Sequence, residues 1–215
     1  MKKRLFSIAF MFVITLVCTG ILMGLSRMSA ERIELARQAR MQRLVLSVLD
    51  MPPAAGATDR DVSRRYDESV RKTEKDGRTI YLGLSPDRKS IAGYAFEVSG
   101  PGFWGPIHGM MGVSPDLGRV LGVAFYDHQE TPGLGGRIDE PWFRRQFAGK
   151  LLAPGADGVF FHFVAPGMHE RPTDVDAITG ATETTRRLSR FLNTDITDTL
   201  QWLKTNKEAL AAAPL

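Results

Sequence analysis

The chain of 215 residues is 43% hydrophobic and 24% charged, ordinary for a folded protein of one domain with additions. Its net charge of +4 is mild and scattered, and no Lys/Arg run alternates with aromatics, which argues against a nucleic-acid partner. The single cysteine, Cys18, excludes an internal disulfide and a cysteine-built metal or iron–sulfur site.

Lys2, Lys3 and Arg4 precede a stretch from Leu5 to Ser26 that carries no charge. At about 1.5 Å per residue it makes about 33 Å of helix, enough to cross a bilayer core. A secretory signal has a shorter apolar region, roughly 7–15 residues, and a small-x-small cleavage site. Arg27-Met28-Ser29-Ala30 is a poor cleavage site, and Val17 is too large to precede a lipid-bearing Cys18. The segment is therefore predicted as an uncleaved transmembrane anchor. Arg27, Arg32, Arg37, Arg40 and Arg43 follow it closely, so flanking charge alone leaves the orientation open.

Ser29 can cap a second helix running to about Leu49, with Ile33, Ala36, Met41, Leu44, Val45, Val48 and Leu49 mostly on one face. It reads equally as a stalk and as the first packed helix of a domain. Pro52-Pro53 stops it, and residues 52–62 read as a linker-like loop. Two hairpins with similar punctuation follow. Residues 78–84 turn at Ser85-Pro86-Asp87 into 90–98, and residues 106–113 turn at Ser114 to Gly118 into 119–128. Between them, in GPGFWGP, Phe103 and Trp104 read as packing residues in preference to a stacking platform for a flat ligand. Asp139 or Glu140 before Pro141 marks a helix start, with Trp142, Phe143 and Phe147 as its buried face. Residues 158–164 read as a strand. The last helix spans about Thr182 to Lys204, with a possible break near Asn193 and Leu188, Phe191, Leu192, Ile196, Leu200 and Leu203 as its apolar side. The order is that of an α+β domain built on an antiparallel sheet with flanking helices.

His108, His128, His162 and His169 lack ligand-like spacing, so no metal site is predicted. No nucleophile elbow, P-loop or G-x-G-x-x-G fingerprint occurs, and no catalytic residue is assigned. Two segments are left. In ETPGLGG (130–136), Pro132 fixes one dihedral while Gly133, Gly135 and Gly136 let backbone amides approach a ligand; a tight strand-to-helix connection explains it as well. In TGATETT (179–185), Gly180 and Ala181 keep the chain slim before a helix whose N-terminus can hold a phosphate. By pattern alone, a threonine capping that helix without any ligand is the simpler reading.

Asp176-Ala177-Ile178-Thr179-Gly180-Ala181-Thr182 matches the D-x-x-S/T-G-A-T flavinylation motif with no departure at a motif position. With the membrane helix, the glycine-rich stretch near Gly100 and the ETPGLG loop, the chain resembles the FMN-binding subunits of the Rnf complex (its G subunit) and of the sodium-pumping NADH:quinone reductase (its C subunit). The resemblance covers most of the chain. Length is nearer the Rnf type and GLGGRIDEPWF nearer the sodium-pump type, so the subfamily stays open.

The resemblance implies FMN joined through its phosphate to Thr182, attached by a separate flavin transferase from FAD with magnesium. Asp176, Thr179, Gly180 and Ala181 would be recognition elements, and Glu130, Thr131, Gly133, Leu134 and Gly135 would hold the isoalloxazine ring. Arg186 or Arg187 could add a cation beside the phosphate. It further implies a single-pass inner-membrane protein with its FMN domain on the periplasmic or extracellular side, working with other membrane subunits of an ion-translocating oxidoreductase and incomplete as an enzyme alone. The expected divisions are an n-region and membrane helix over 1–26, a stalk and linker over 27–62, and the FMN-binding domain over 63–215. A stand-alone flavinylated carrier for another reductase and an unflavinylated scaffold are the alternatives.

Overall fold

The computed structural model describes the backbone of residues 2–212; side chains of residues 2–5, 28, 31, 32, 211 and 212, including the flanking cations Lys2, Lys3, Arg4 and Arg32, lie outside the described residues. The chain divides into two units between Met41 and Gln42. The first is helix throughout its described residues. Helix α1 spans Lys2–Val48 without interruption, so Ser29 sits inside it and caps nothing. Helix-forming residues on both sides of Ser29 carry the backbone through that point. Its segment Phe6–Arg27, of mean hydropathy 2.5, is long and apolar enough to cross a membrane.

The last turns of α1 belong to the second unit, where Val45, Leu46, Val48 and Leu49 are buried. The helix stops in a Schellman motif. Asp50 takes a φ of 59°, its N–H donates to Ser47 O, and Met51 N–H donates to Leu46 O at 2.9 Å. Helix α2, Asp59–Ser69, occupies the end of the expected linker and the start of the expected FMN-binding domain. A capping box starts it: Asp61 N–H donates to the Thr58 hydroxyl at 3.3 Å and Thr58 N–H donates to the Asp61 carboxylate at 3.2 Å.

Five strands then form one antiparallel sheet in chain order: β1 Val70–Lys75, β2 Arg78–Leu84, β3 Ile91–Pro101, β4 Pro106–Val113 and β5 Val120–Asp127. The two expected hairpins are β2–β3 and β4–β5. Their turns share chemistry: Ser85 and Ser114 hydroxyls donate to Asp87 and Asp116, and Arg88 and Leu117 take φ values of 56° and 61°. Strand β1 is additional. It joins β2 through Asp76-Gly77, both at positive φ, a two-residue turn of the twist hairpins favour.

The two sheet faces are unlike. One carries Ile80, Leu82, Tyr94, Phe96, Val98, Ile107, Met111, Val113, Val123 and Phe125 into a single core with the apolar side of helix α4, Thr182–Ala212. The other presents Gly83, Gly93, Gly112 and Gly122 to Val48 and Leu49 at the end of α1. A Cβ on Gly112 would lie 1.9 Å from Val48 O, so the helix end sits directly on the strand backbone.

After β5 come a 3-10 turn, Gly135–Asp139, and the short helix α3, Pro141–Arg145, which buries Phe143 while Trp142 stays half-buried beneath the Arg137 guanidinium at 5.1 Å. Of the expected strand 158–164 only Phe163–Val164 (β6) pairs, in parallel, with Val175–Asp176 (β7). The cause lies in α4. Asn193 does not break the helix; its Oδ1 accepts the amides of Phe160 and Phe161 at 2.7 and 3.0 Å, replacing a neighbouring strand.

Candidate functional site

Three segments meet around a cleft of about 350 Å³: the β3–β4 loop, the segment after β5 and the N-terminus of α4. Phe103, Trp104, Glu130, Thr131, Leu134, Gly135 and Gly180–Thr184 line it. Such a volume lies at the lower end of small-molecule sites.

The α4 wall starts with Gly180 at φ +80°, a turn that L side chains rarely adopt. The first bond of the helix runs from Thr185 N–H to Ala181 O at 3.0 Å, leaving the amides before it without intrahelical acceptors. Positions on a helix advance by about 100°, so Thr182 and Thr184 point to nearly opposite sides. Thr182 is exposed in the cleft, and its hydroxyl has no partner among the described residues. Thr184 and Thr185 are buried: Thr184 donates to Glu130 at 2.6 Å and Thr185 to Ala181 O at 2.9 Å. Three hydroxyls of one short run therefore have three different surroundings.

The second wall is the ETPGLG segment. Leu134 N–H and Gly136 N–H both donate to Thr131 O, with Pro132 and Gly133 (φ +75°) at the tip of a type II turn. Glu130, only 4% exposed, accepts Phe103 N–H at 2.7 Å and Trp104 N–H at 3.1 Å on one oxygen and the Thr184 hydroxyl on the other. Gly135 makes this possible, because a Cβ there would lie 2.5 Å from Thr184 Oγ1 and 2.6 Å from Glu130 Oε2.

The third wall is aromatic. Phe103 and Trp104 are 47% and 64% exposed, so they line the cleft and do not pack into the core as their sequence context suggested. Their rings meet edge-to-face at 5.0 Å, and Trp104 Nε1–H donates to the Thr131 hydroxyl at 3.0 Å. Large exposed aromatics held by a hydrogen bond form a platform for a flat ring.

Of the sequence-derived site residues, Glu130, Thr131, Leu134, Gly135, Gly180, Ala181 and Thr182 come together here. Gly133 is the exposed turn tip beside them. Thr179 is exposed outside the lining, and Asp176 faces elsewhere: its carboxylate accepts Gly167 N–H at 2.9 Å and pairs with His169 at 2.8 Å. Arg186, considered as a phosphate cation, is engaged by Glu183 at 2.6 Å; that hydrogen bond holds the Glu183 carboxyl below its ordinary range. Arg187 lies 3.9 Å from the same carboxylate. Each histidine pairs with a carboxylate: His108 with Glu97, His128 with Asp139, His162 with Asp157 and His169 with Asp176. The bond from Thr184 to Glu130 escaped sequence reasoning because only the angular position of Thr184 on α4 distinguishes it from its neighbours.

The donor set suits a flavin mononucleotide. Leu134 and the aromatic pair line the same cleft as a helix N-terminus with free amides and a hydroxyl.

Residues 102–196 match the FMN-binding domain family. Among curated proteins, the chain is similar to the C subunit of the Na(+)-translocating NADH-quinone reductase of Pseudomonas aeruginosa, 36% identical over 129 residues (58% of this chain, 48% of the relative). The corresponding subunit of Neisseria meningitidis is 32% identical over 107 residues (50% and 41%), and that of Chlamydia pneumoniae 46% over 69 residues (32% and 22%). The chain thus spans less than half the length of these relatives. Among solved structures, NqrC from Shewanella oneidensis shares the fold with a TM-score of 0.64 at 21% identity, covering 75% of this chain and 93% of that one. The corresponding subunit from Parabacteroides distasonis gives 0.64 at 20% identity (79% and 94%). The aromatic pair, the glycine-bracketed carboxylate and the helix N-terminus all fall within the segment that matches the FMN-binding domain family, and the chain is similar to C subunits of the Na(+)-translocating NADH-quinone reductase.

Proposed function

We propose that the chain is an electron-transfer subunit carrying FMN as a phosphoester on Thr182, within a membrane complex of the sodium-translocating NADH:quinone reductase type. The observation that carries the covalent reading is the separation of the threonines. Thr182 alone of the motif's hydroxyls is both exposed and in the cleft wall, whereas Thr184 and Thr185 are engaged in internal hydrogen bonds. The ester phosphate would keep a negative charge beside the free amides of the α4 N-terminus, a placement worth about 0.3–1 kcal/mol at an exposed site. Leu134 and the Phe103–Trp104 pair would enclose the ring, while bound FMN supplies the redox chemistry itself.

Attachment needs a transferase. Its donor would be FAD: the Thr182 oxygen forms the new bond to the FMN phosphorus, the pyrophosphate bond breaks, AMP leaves and the hydroxyl proton is released. The similarity to C-subunit relatives supports the sodium-pump type over the Rnf type. Phe6–Arg27 would anchor the protein in the inner membrane, with the FMN domain on the periplasmic side and other subunits supplying the donor and acceptor sites.

The test is to express the chain with a flavin transferase, denature it and look for flavin fluorescence on the protein band. Peptide mass spectrometry should place FMN minus water on the peptide holding Thr182. A dark wild-type band overturns the covalent reading in favour of a scaffold, and fluorescent Thr182→Ala overturns the site. A cytoplasm-only reporter fused after residue 215 should stay silent; activity there overturns the periplasmic placement.

A further inference from the structure

Glu130 lines the cleft, yet it is only 4% exposed and its polar atoms are turned to the protein. Phe103 N–H, Trp104 N–H and the Thr184 hydroxyl all donate to it, the arrangement that suits an ionised, acceptor-only carboxylate. No Lys or Arg among the described residues forms an ion pair with it. Its own N–H donates to His128 Nδ1 at 3.2 Å, and His128 Nε2 lies 3.0 Å from Asp139, so the backbone beneath it is also fixed. A buried charge without a counter-charge is destabilising, and an apolar residue would fill the space without that penalty. Holding two loops together does not require a charge.

We infer that Glu130 is a positioning residue that also acts electrostatically, bracketing the aromatic lip to the first turn of α4 and placing a fixed negative charge against the flavin, which lowers its reduction potential. This rests on the reading of the cleft as an FMN site. Reduction adds negative charge to the ring system, and a neighbouring carboxylate opposes it, more strongly in a partly desolvated wall than in water. The Thr184 hydrogen bond partly neutralises that charge. The two side chains therefore act on the flavin with opposite signs.

The test uses the full-length, flavin-loaded protein in detergent, with the midpoint potential read by redox titration of flavin absorbance. Glu130→Gln keeps an acceptor for the Phe103 and Trp104 amides and removes the charge. The midpoint should rise, by the equivalent of about a tenfold change in the oxidised-to-reduced ratio, or about 30 mV for a two-electron couple. Thr184→Val keeps the charge and removes its donor, so its midpoint should fall. A merely structural bracket would shift both variants the same way when loosened, and that outcome, or unchanged midpoints in loaded variants, overturns the inference. Should Glu130→Gln block loading, Thr184→Val decides alone: a fall supports the charge, and no change or a rise overturns it. Wild type without flavin would instead overturn the FMN reading, and the electrostatic role with it.

Discussion

Glycine is used in two places for the same geometric reason and to opposite ends. On the outer face of the sheet, the space missing at Gly112 is filled by the carbonyl of Val48, and the surroundings are closed. At the cleft, the space missing at Gly135 is filled by Thr184 Oγ1 and a Glu130 oxygen, and a cavity stays open beside them. The first brings backbone onto backbone and serves packing. The second brings polar groups to a wall that a ligand would touch. Close approach alone therefore does not mark a site; the identity of the atoms filling the gap does.

This contrast can be broken most forcefully at the packed end. Gly112→Ala puts a methyl group 1.9 Å from a backbone oxygen that no rotamer can move aside, so a loss of about 3 kcal/mol is expected in thermal unfolding. An unchanged melting temperature would mean that the α1 end is not seated there. Gly135→Ala meets side-chain atoms at 2.5 and 2.6 Å, which can yield in part. About 1–2 kcal/mol is expected, with a fall in flavin loading that Gly112→Ala should not match once folded.

A smaller effect lies away from both, where α4 meets β3. Burial raises the Asp195 carboxyl above its ordinary range, although Ser99 N–H donates to it at 2.7 Å. The folded state then holds this proton more tightly than the unfolded chain, so ionisation subtracts stability as pH rises from the ordinary carboxylate range through the raised value. Asp195→Asn keeps an acceptor for Ser99 and removes that loss. Its melting temperature should exceed wild type at neutral pH and converge with it in acid. Least of all, Thr182→Ala should leave stability within about 0.5 kcal/mol, since the hydroxyl has no partner among the described residues, while abolishing covalent flavin.

Much of the sheet is legible in the sequence because apolar alternation and Pro/Asp turns mark β2 to β5 directly. Strand β1 is not, since VRKTEK is charged and only half-buried at a sheet edge, although the Asp76-Gly77 pair before Arg78 is a hairpin signal. Helix α2 hides behind a Pro- and Ala-rich run, its one local mark being the Thr58/Asp61 box. At the site, the motifs locate two walls. The third is illegible because aromatics between glycines look alike in a core and at a cleft; the exposure of both rings and the Glu130 bonds to both amides show which applies. Asp176 shares a motif with Thr182, yet its carboxylate ties down the loop at Gly167 and His169.

Asn193 has a consequence for substitution. Its oxygen accepts two amides, from Phe160 and Phe161, and its nitrogen donates to Phe161 O and Ser189 O, at 3.0 and 2.7 Å. Both lone pairs and both hydrogens are used, a full valence that only a primary amide of this length supplies at this point on α4. Aspartate, differing by one heavy atom in identity and none in size, would turn an oxygen toward two carbonyl oxygens and reverse half of that polarity. Where this helix side chain stands in for a strand, tolerance is set by parity of donors and acceptors, not by volume or hydrophobicity.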